Sequence, residues 1–228
     1  MFFYDWTYFI LIPGVLLTLF AQMKVQGTYN RYAKVMSRKG ITAQQLAEHL
    51  LHAEGVTNVA VERTRGHLTD HYDPSSLTLR LSDSTANSTS VAALGVAAHE
   101  CGHVLQHRDG YGPLMLRTAS VPVVNIGSNL AWPLFLLGFI MSWEPLLNIG
   151  IILFMAVVAF SLITLPVEFN ASKRAVAALT SGGYLYDDEA EGARKVLNAA
   201  ALTYVASAAM AILQLLRLLA LSNSRSRD

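Results

Sequence analysis

Cysteine and charge are both scarce in this sequence of 228 residues. The single cysteine, Cys101, excludes a disulfide within the chain. Charged residues make up 14% and hydrophobic residues 53%, whereas soluble domains carry about 25% charged residues. The net charge of +1 gives no general electrostatic reason to expect a nucleic-acid partner. The missing charge therefore points to long apolar segments rather than to an ordinary soluble domain.

Four segments are long and apolar enough to cross a bilayer, which takes about 20 residues. They are predicted at residues 6–23, 119–142, 146–166 and 196–216. Glu144 and Pro145 are expected to form the turn between the second and third. The fourth is rich in alanine, so it suits either a membrane span or a helix packed against other membrane helices. We therefore predict three or four transmembrane helices.

Lysine and arginine flank these spans on one side only, and such residues favour the cytoplasmic side. The flanking basic residues are Lys24, Arg31, Lys34, Arg38, Lys39, Arg108, Arg117, Lys173 and Arg174. The other side carries only Asp5 and Glu144. We expect a multi-pass protein of the cell membrane, with residues 24–117 and 168–195 in the cytoplasm. The orientation of the fourth span stays open, because Arg225 and Arg227 follow it.

Residues 24–117 form the only stretch long enough for a soluble subdomain, and its patterns are α+β. Thr42 and Gln45 are spaced as a capping box at the start of a helix. Alternating apolar residues indicate strands, and a turn is expected before the second of them. The predicted elements are a helix at 42–55, strands at 59–63 and 77–82, a turn at 71–74 and a helix at 91–106.

The last of these helices contains His99, Glu100 and His103 in the pattern H-E-x-x-H. Residues four apart share a helix face, so both imidazoles can reach one tetrahedral zinc ion at about 2.0–2.1 Å. Glu100 starts about a third of a turn away, where it can act as general base on a water activated by the metal. Cys101 points away from that face, and we expect it to pack in the core.

A zinc site of this kind needs a third protein ligand and keeps one position for water. Two acids are candidates from the residues. Asp109 stands where the metzincin pattern H-E-x-x-H-x-x-G-x-x-H has its last histidine, although Gln106 replaces the glycine. Glu168 follows the third predicted span, and the predicted topology places it on the same side of the membrane as the motif.

Taken together, these residues resemble the YugP-like neutral zinc metallopeptidases of bacterial membranes. The matching segments are residues 68–74, 79–82, 97–103 and 166–172, and the resemblance covers nearly the whole chain. It implies a gluzincin-like site with Glu168 as the third zinc ligand. It also implies that strand 77–82 lies at a sheet edge, where an extended substrate could pair with it.

One position departs from the family pattern. Asn170 stands where an aspartate is expected. If this side chain orients a ligating histidine, the neutral amide would make that histidine less basic.

The motif helix also favours Glu168 over Asp109. Gln106 is a good helix former, so the helix should continue to His107 before Asp109 and Gly110 break it. The sharp turn that glycine permits in metzincins would then be missing.

We therefore predict a mainly α membrane protein with a small α+β cytoplasmic, gluzincin-like catalytic part. It would be a zinc-dependent endopeptidase acting on peptides or membrane proteins. The alternatives are a zinc hydrolase of a non-peptide amide and a catalytically idle pseudoprotease or membrane scaffold. The predicted parts are an N-terminal transmembrane helix (1–23), the catalytic region (24–117), a transmembrane hairpin (118–167), the segment with the third ligand (168–195), a C-terminal membrane helix (196–221) and a disordered tail (222–228).

Overall fold

Helices dominate the computed structural model, which describes residues 6–225. A short 3₁₀ helix, Trp6–Leu11, leads directly into the first α-helix. The elements that follow are α1 (Ile12–Tyr32), α2 (Ala43–Ala53), β1 (Ala60–Thr64), β2 (His71–Asp73), β3 (Thr78–Ser82), α3 (Asp83–Ala86), α4 (Val91–Arg108), α5 (Gly112–Met141), α6 (Glu144–Ser181) and α7 (Asp187–Arg225).

Four helices of the described part are long and apolar enough to cross a membrane, and they contain the four predicted spans, except that the second was predicted to end one residue later, at Ser142. They are Trp6–Tyr32, Gly112–Met141, Glu144–Ser181 and Asp187–Ser224. The break between α5 and α6 falls at Ser142, which has a φ of 56°. Glu144 and Pro145 open α6 instead of forming the turn, and the first helical turn is where proline is best tolerated.

The end of α7 differs from the prediction. The helix continues to Arg225, so residues 222–225 are helical where we expected a disordered tail. These four polar residues extend the helix that the apolar segment before them forms, and helix ends are the least certain part of a sequence pattern. Residues 226–228, like Asp5, lie outside the described part of the chain.

One of two compact units consists of residues 1–22, 115–166 and 203–228. Within it, α5 and α6 approach each other at glycines. A Cβ atom on Gly150 would lie 2.7 Å from the backbone nitrogen of Phe135. Small residues allow such close helix contacts in membranes. Phe135 and Leu147 are buried there together with Leu218 of α7.

The other unit consists of residues 23–114 and 167–202, and α4 lies at the centre of its core. Several neighbouring elements contribute small or branched apolar side chains to this core. The buried partners of α4 include Leu46 and Leu50 of α2, Leu79 and Leu81 of β3, Ala175 and Leu179 of α6, and Ala193 and Leu197 of α7. The motif helix is therefore held by packing from several sides.

The sheet of this unit has the strand order β1-β3-β2. β3 pairs in parallel with β1 and antiparallel with β2. The prediction that strand 77–82 lies at a sheet edge is therefore wrong, because both of its edges are occupied. Alternation of apolar residues identifies a strand but does not show how many neighbours it has. Residues 71–73 form β2, so the turn predicted at 71–74 begins only at Pro74.

The residues predicted to start α2 and to end α4 do so in the structure. The Thr42 hydroxyl accepts from the backbone N–H of Gln45 at 3.2 Å, and the Gln45 side chain accepts from the Thr42 N–H at 3.0 Å. α4 ends at Arg108, with Asp109 as its C-cap and Gly110 at a φ of 60°. The capping box and the break at Asp109–Gly110 are both confirmed.

Candidate metal centre

His99 and His103 lie on one face of α4, four residues apart. Their ring centroids are 4.7 Å from each other and the rings are nearly perpendicular, at 85°. The two side chains are 15% and 12% exposed. The helix thus presents two imidazoles to the same small space while keeping both largely away from solvent.

Glu168 lies on α6 and faces this pair of histidines. Its Oε2 atom is 3.2 Å from Nε2 of His99 and 3.7 Å from Nε2 of His103. One ligand atom from each of the three side chains can be chosen so that all lie within 4.8 Å of one another. The Glu168 side chain is only 3% exposed. Two segments that are far apart in sequence therefore meet in one buried cluster.

These distances fit a zinc ion. Ligands at about 2.0–2.2 Å in a tetrahedron are separated from one another by about 3.3 Å. The two distances from Glu168 to the histidine nitrogens, 3.2 and 3.7 Å, bracket that value. Two imidazoles and a carboxylate are also the donor set that catalytic zinc takes in one well-known class of peptidases. The residues present are therefore suited to hold this metal.

Gly102 permits the close approach of α4 and α6 at this point. A Cβ atom at this position would lie 2.6 Å from the backbone oxygen of Ala171 and 3.1 Å from its Cα. Real Cβ atoms do not approach backbone so closely, so a larger residue would push the helices apart. The glycine between the two histidines is thus part of the reason that Glu168 reaches them.

Each histidine has a partner at its other ring nitrogen. Nδ1 of His99 lies 3.1 Å from the Ser172 hydroxyl, and Nδ1 of His103 lies 3.0 Å from Oε1 of Gln106. Such partners hold the ring orientation of metal-binding histidines. Neither Ser172 nor Gln106 was predicted to have this role. The spacing of three residues between His103 and Gln106 on one helix was a usable signal.

Asn170 does not orient a histidine directly. Its side-chain oxygen accepts from Nε2 of Gln106 at 3.0 Å and from Nε of Arg174 at 2.9 Å. Gln106 is the residue that contacts His103. Asn170 can therefore affect the basicity of His103 only indirectly, by way of its hydrogen bond with Gln106.

The electrostatics of the cluster favour a positive charge. Burial lowers the pKa of His103, but its hydrogen bond to Glu168 and the charges of Glu100 and Glu168 outweigh this, and the pKa is raised overall. Glu100 itself is 9% exposed. A space that attracts cations is suited to a divalent metal.

Two residues near the motif lie away from the cluster. Cys101 packs in the core, where its thiol is 3.8 Å from the backbone oxygen of Ala47, and burial raises the pKa of that thiol. Asp109 pairs with Arg108 at 2.8 Å and with Arg174 at 2.5 Å. Among the described residues, the acid that joins His99 and His103 is Glu168 rather than Asp109.

One helix carries the H-E-x-x-H motif and another carries the facing glutamate, an arrangement typical of zinc metallopeptidases. A family model described as "Putative neutral zinc metallopeptidase" matches residues 7–223. The chain belongs to this family. It is also 46% identical to the "Putative membrane protease YugP" of Bacillus subtilis (strain 168) over 209 residues, which cover 92% of this chain and 93% of that protein. No solved structure matches this chain.

Proposed function

We propose that this protein is a membrane-bound zinc endopeptidase in which His99, His103 and Glu168 hold the metal and Glu100 is the general base. The observation that carries the proposal is the approach of Glu168 to both histidines, at 3.2 and 3.7 Å from their Nε2 atoms. An acid from a distant helix, buried against the two motif histidines, completes a three-ligand set. Membership of the zinc metallopeptidase family supports the same metal.

When bound, zinc supplies a Lewis acid that activates water and polarises the scissile carbonyl. Glu100 follows His99 directly on α4 and is largely buried. Its carboxylate takes a proton from the attacking water and later gives a proton to the leaving amine. The buried surroundings of both histidines limit competing contact with bulk solvent.

The substrate is proposed to be an extended peptide that pairs with β2. Among the described residues β2 pairs with β3 alone, so its other edge has no neighbouring strand. Its Tyr72 hydroxyl lies 2.8 Å from Nδ1 of His107, which is one helical turn beyond His103 on α4. β2 thus adjoins the helix face that carries the motif histidines, and addition of a strand at such an edge is a common way to bind peptides.

The site is proposed to work on the cytoplasmic side, close to the membrane. Four apolar helices in this chain and a relative described as a membrane protease support the membrane location. The distribution of lysine and arginine along the sequence supports the side.

Digestion of a peptide library by the purified full-length protein tests the proposal, together with analysis of its metal content. We expect about one zinc per chain and internal cleavage of peptides that stops with a chelator and returns with added zinc. Hydrolysis of non-peptide amides alone would indicate the alternative hydrolase. Bound zinc without any hydrolysis would indicate an idle scaffold, a role that gives no reason to keep Glu100.

A further inference from the structure

The Gln106 side chain is completely buried beside the metal cluster and makes three hydrogen bonds. Its Oε1 atom is 3.0 Å from Nδ1 of His103. Its Nε2 atom donates to the backbone oxygen of Val167 at 2.8 Å and to Oδ1 of Asn170 at 3.0 Å. One amide therefore connects a proposed ligand on α4 with the part of α6 that bears Glu168.

The orientation of this amide follows from its neighbours. An arginine guanidinium only donates hydrogen bonds, so the atom of Asn170 that faces Nε of Arg174, at 2.9 Å, must be the oxygen. That same oxygen faces Gln106, so the Gln106 atom must be the donating nitrogen. The backbone oxygen of Val167 requires a donor at the same place. Two independent acceptors thus turn Oε1 of Gln106 toward His103.

This orientation determines the tautomer of His103. An amide oxygen only accepts hydrogen bonds, so Nδ1 of His103 must carry a proton to donate to it. In the neutral imidazole, which is the form that binds a metal, Nε2 then bears the lone pair, and Nε2 is the atom that faces Glu168 at 3.7 Å. His99 differs, because the hydroxyl of its partner Ser172 can donate or accept.

We propose that Gln106 is a positioning residue that holds His103 with a proton on Nδ1, so that Nε2 is always presented to the zinc ion. Asn170 and Arg174 hold Gln106 in turn, and Asp109 holds Arg174 at 2.5 Å. The inference rests on the proposed function, because it assumes that the cluster binds zinc.

Gln106→Leu removes the acceptor for Nδ1 of His103 and puts an apolar side chain of similar size in its place. We expect the zinc affinity to fall by about 10–100-fold, the usual cost of losing a hydrogen-bond partner of a ligand. The affinity is measured on the purified full-length protein in detergent, by competition with a chromophoric chelator. Thermal unfolding of the same samples, free of metal, measures stability separately.

Gln106→Glu separates positioning from packing. A carboxylate still accepts from Nδ1 of His103 and makes that histidine a stronger ligand, but it loses the bonds that Gln106 donates to Val167 and Asn170. We expect lower stability with a zinc affinity at least equal to that of the wild type. Val104→Ala, which removes buried apolar volume on the same helix, should likewise lower stability and leave the affinity unchanged.

The outcomes separate the two proposals. Uptake of zinc by the wild type with an unchanged affinity in Gln106→Leu would overturn the positioning role alone. Equal loss of affinity in the leucine and glutamate variants, in step with their stability, would show that Gln106 is only structural. A wild type that takes up no zinc would overturn the proposed function and this inference together.

Discussion

Glu168 places its Oε2 atom 3.2 Å from Nε2 of His99, although 69 residues separate them in the chain. The two residues belong to different helices, α6 and α4, and their contact is made by helix packing rather than by a local turn. The donor set is therefore assembled by the fold itself.

Glu100→Gln should retain zinc, since Glu100 is not among the three clustered residues. Hydrolysis should fall by about 10²–10⁴-fold, because the amide no longer accepts the proton from water. Metal content and peptide turnover of the purified variant measure the two effects. Glu48→Gln, an exposed position on α2, is the control and should behave as wild type. Loss of zinc from the Glu100 variant would mean that this residue is a ligand.

Glu168→Ala and Asp109→Ala distinguish the two candidate third ligands. The first removes an acid that faces both histidines, so zinc affinity should fall by more than the 10–100-fold typical of an outer partner. The second removes two partly exposed ion pairs, one with Arg108 and one with Arg174, and such pairs contribute only about 0–1 kcal/mol each. Chelator competition on both variants gives the answer. The reverse order would indicate a metzincin-like site.

Gly102→Ala should weaken both folding and zinc binding. The added methyl group would meet the backbone of Ala171 at 2.6 Å, and overpacking of this kind costs about 1–3 kcal/mol. Gly27→Ala is the matched control, because it also lies within a helix but has no atom within 4 Å of the new Cβ. The control should gain up to about 1 kcal/mol from helix propensity. Similar thermal unfolding of both variants would contradict the close contact at Gly102.

Asn170→Asp should leave zinc affinity within a few-fold of the wild type. The carboxylate would accept the same two hydrogen bonds that Asn170 accepts from Gln106 and Arg174, and the bond from arginine would become charge-assisted. Asn170→Leu removes both bonds and should lower the affinity. If the aspartate variant instead binds zinc far more tightly, the residue acts on a histidine more directly than these contacts indicate.

The proposed orientation in the membrane predicts a labelling pattern in whole cells. A thiol reagent that does not cross membranes should label Glu144→Cys in intact cells. It should label Lys34→Cys only after the cells are broken open. The opposite pattern would place the metal cluster on the outer side of the membrane and would refute the cytoplasmic assignment.

The motif and the helices around it could be predicted from the sequence because their signals are local. The spacing of His99 and His103 fixes a shared helix face, and the capping pair Thr42 and Gln45 marks a helix start. The apolar spans were predictable for the same reason, since length and composition alone identify them.

The features that the sequence did not reveal depend on long-range contacts. β3 is the central strand because it pairs with both β1 and β2. The alternation of apolar and polar residues in β3 does not show how many strands pair with it. The contact between Gln106 and Asn170 joins residues 64 positions apart. The role of Gly102 appears only when α6 is placed against it. In each case the partner, rather than the residue itself, determines what the residue does.

Cys101 lies inside the core of the unit that holds the metal cluster, and burial raises the pKa of its thiol. Because oxidants and alkylating reagents attack the thiolate, the native chain offers them little to react with. The protein should therefore tolerate mild oxidants without modification of the helix that carries His99 and His103. It also follows that a thiol reagent should label a cysteine introduced at the surface without labelling Cys101.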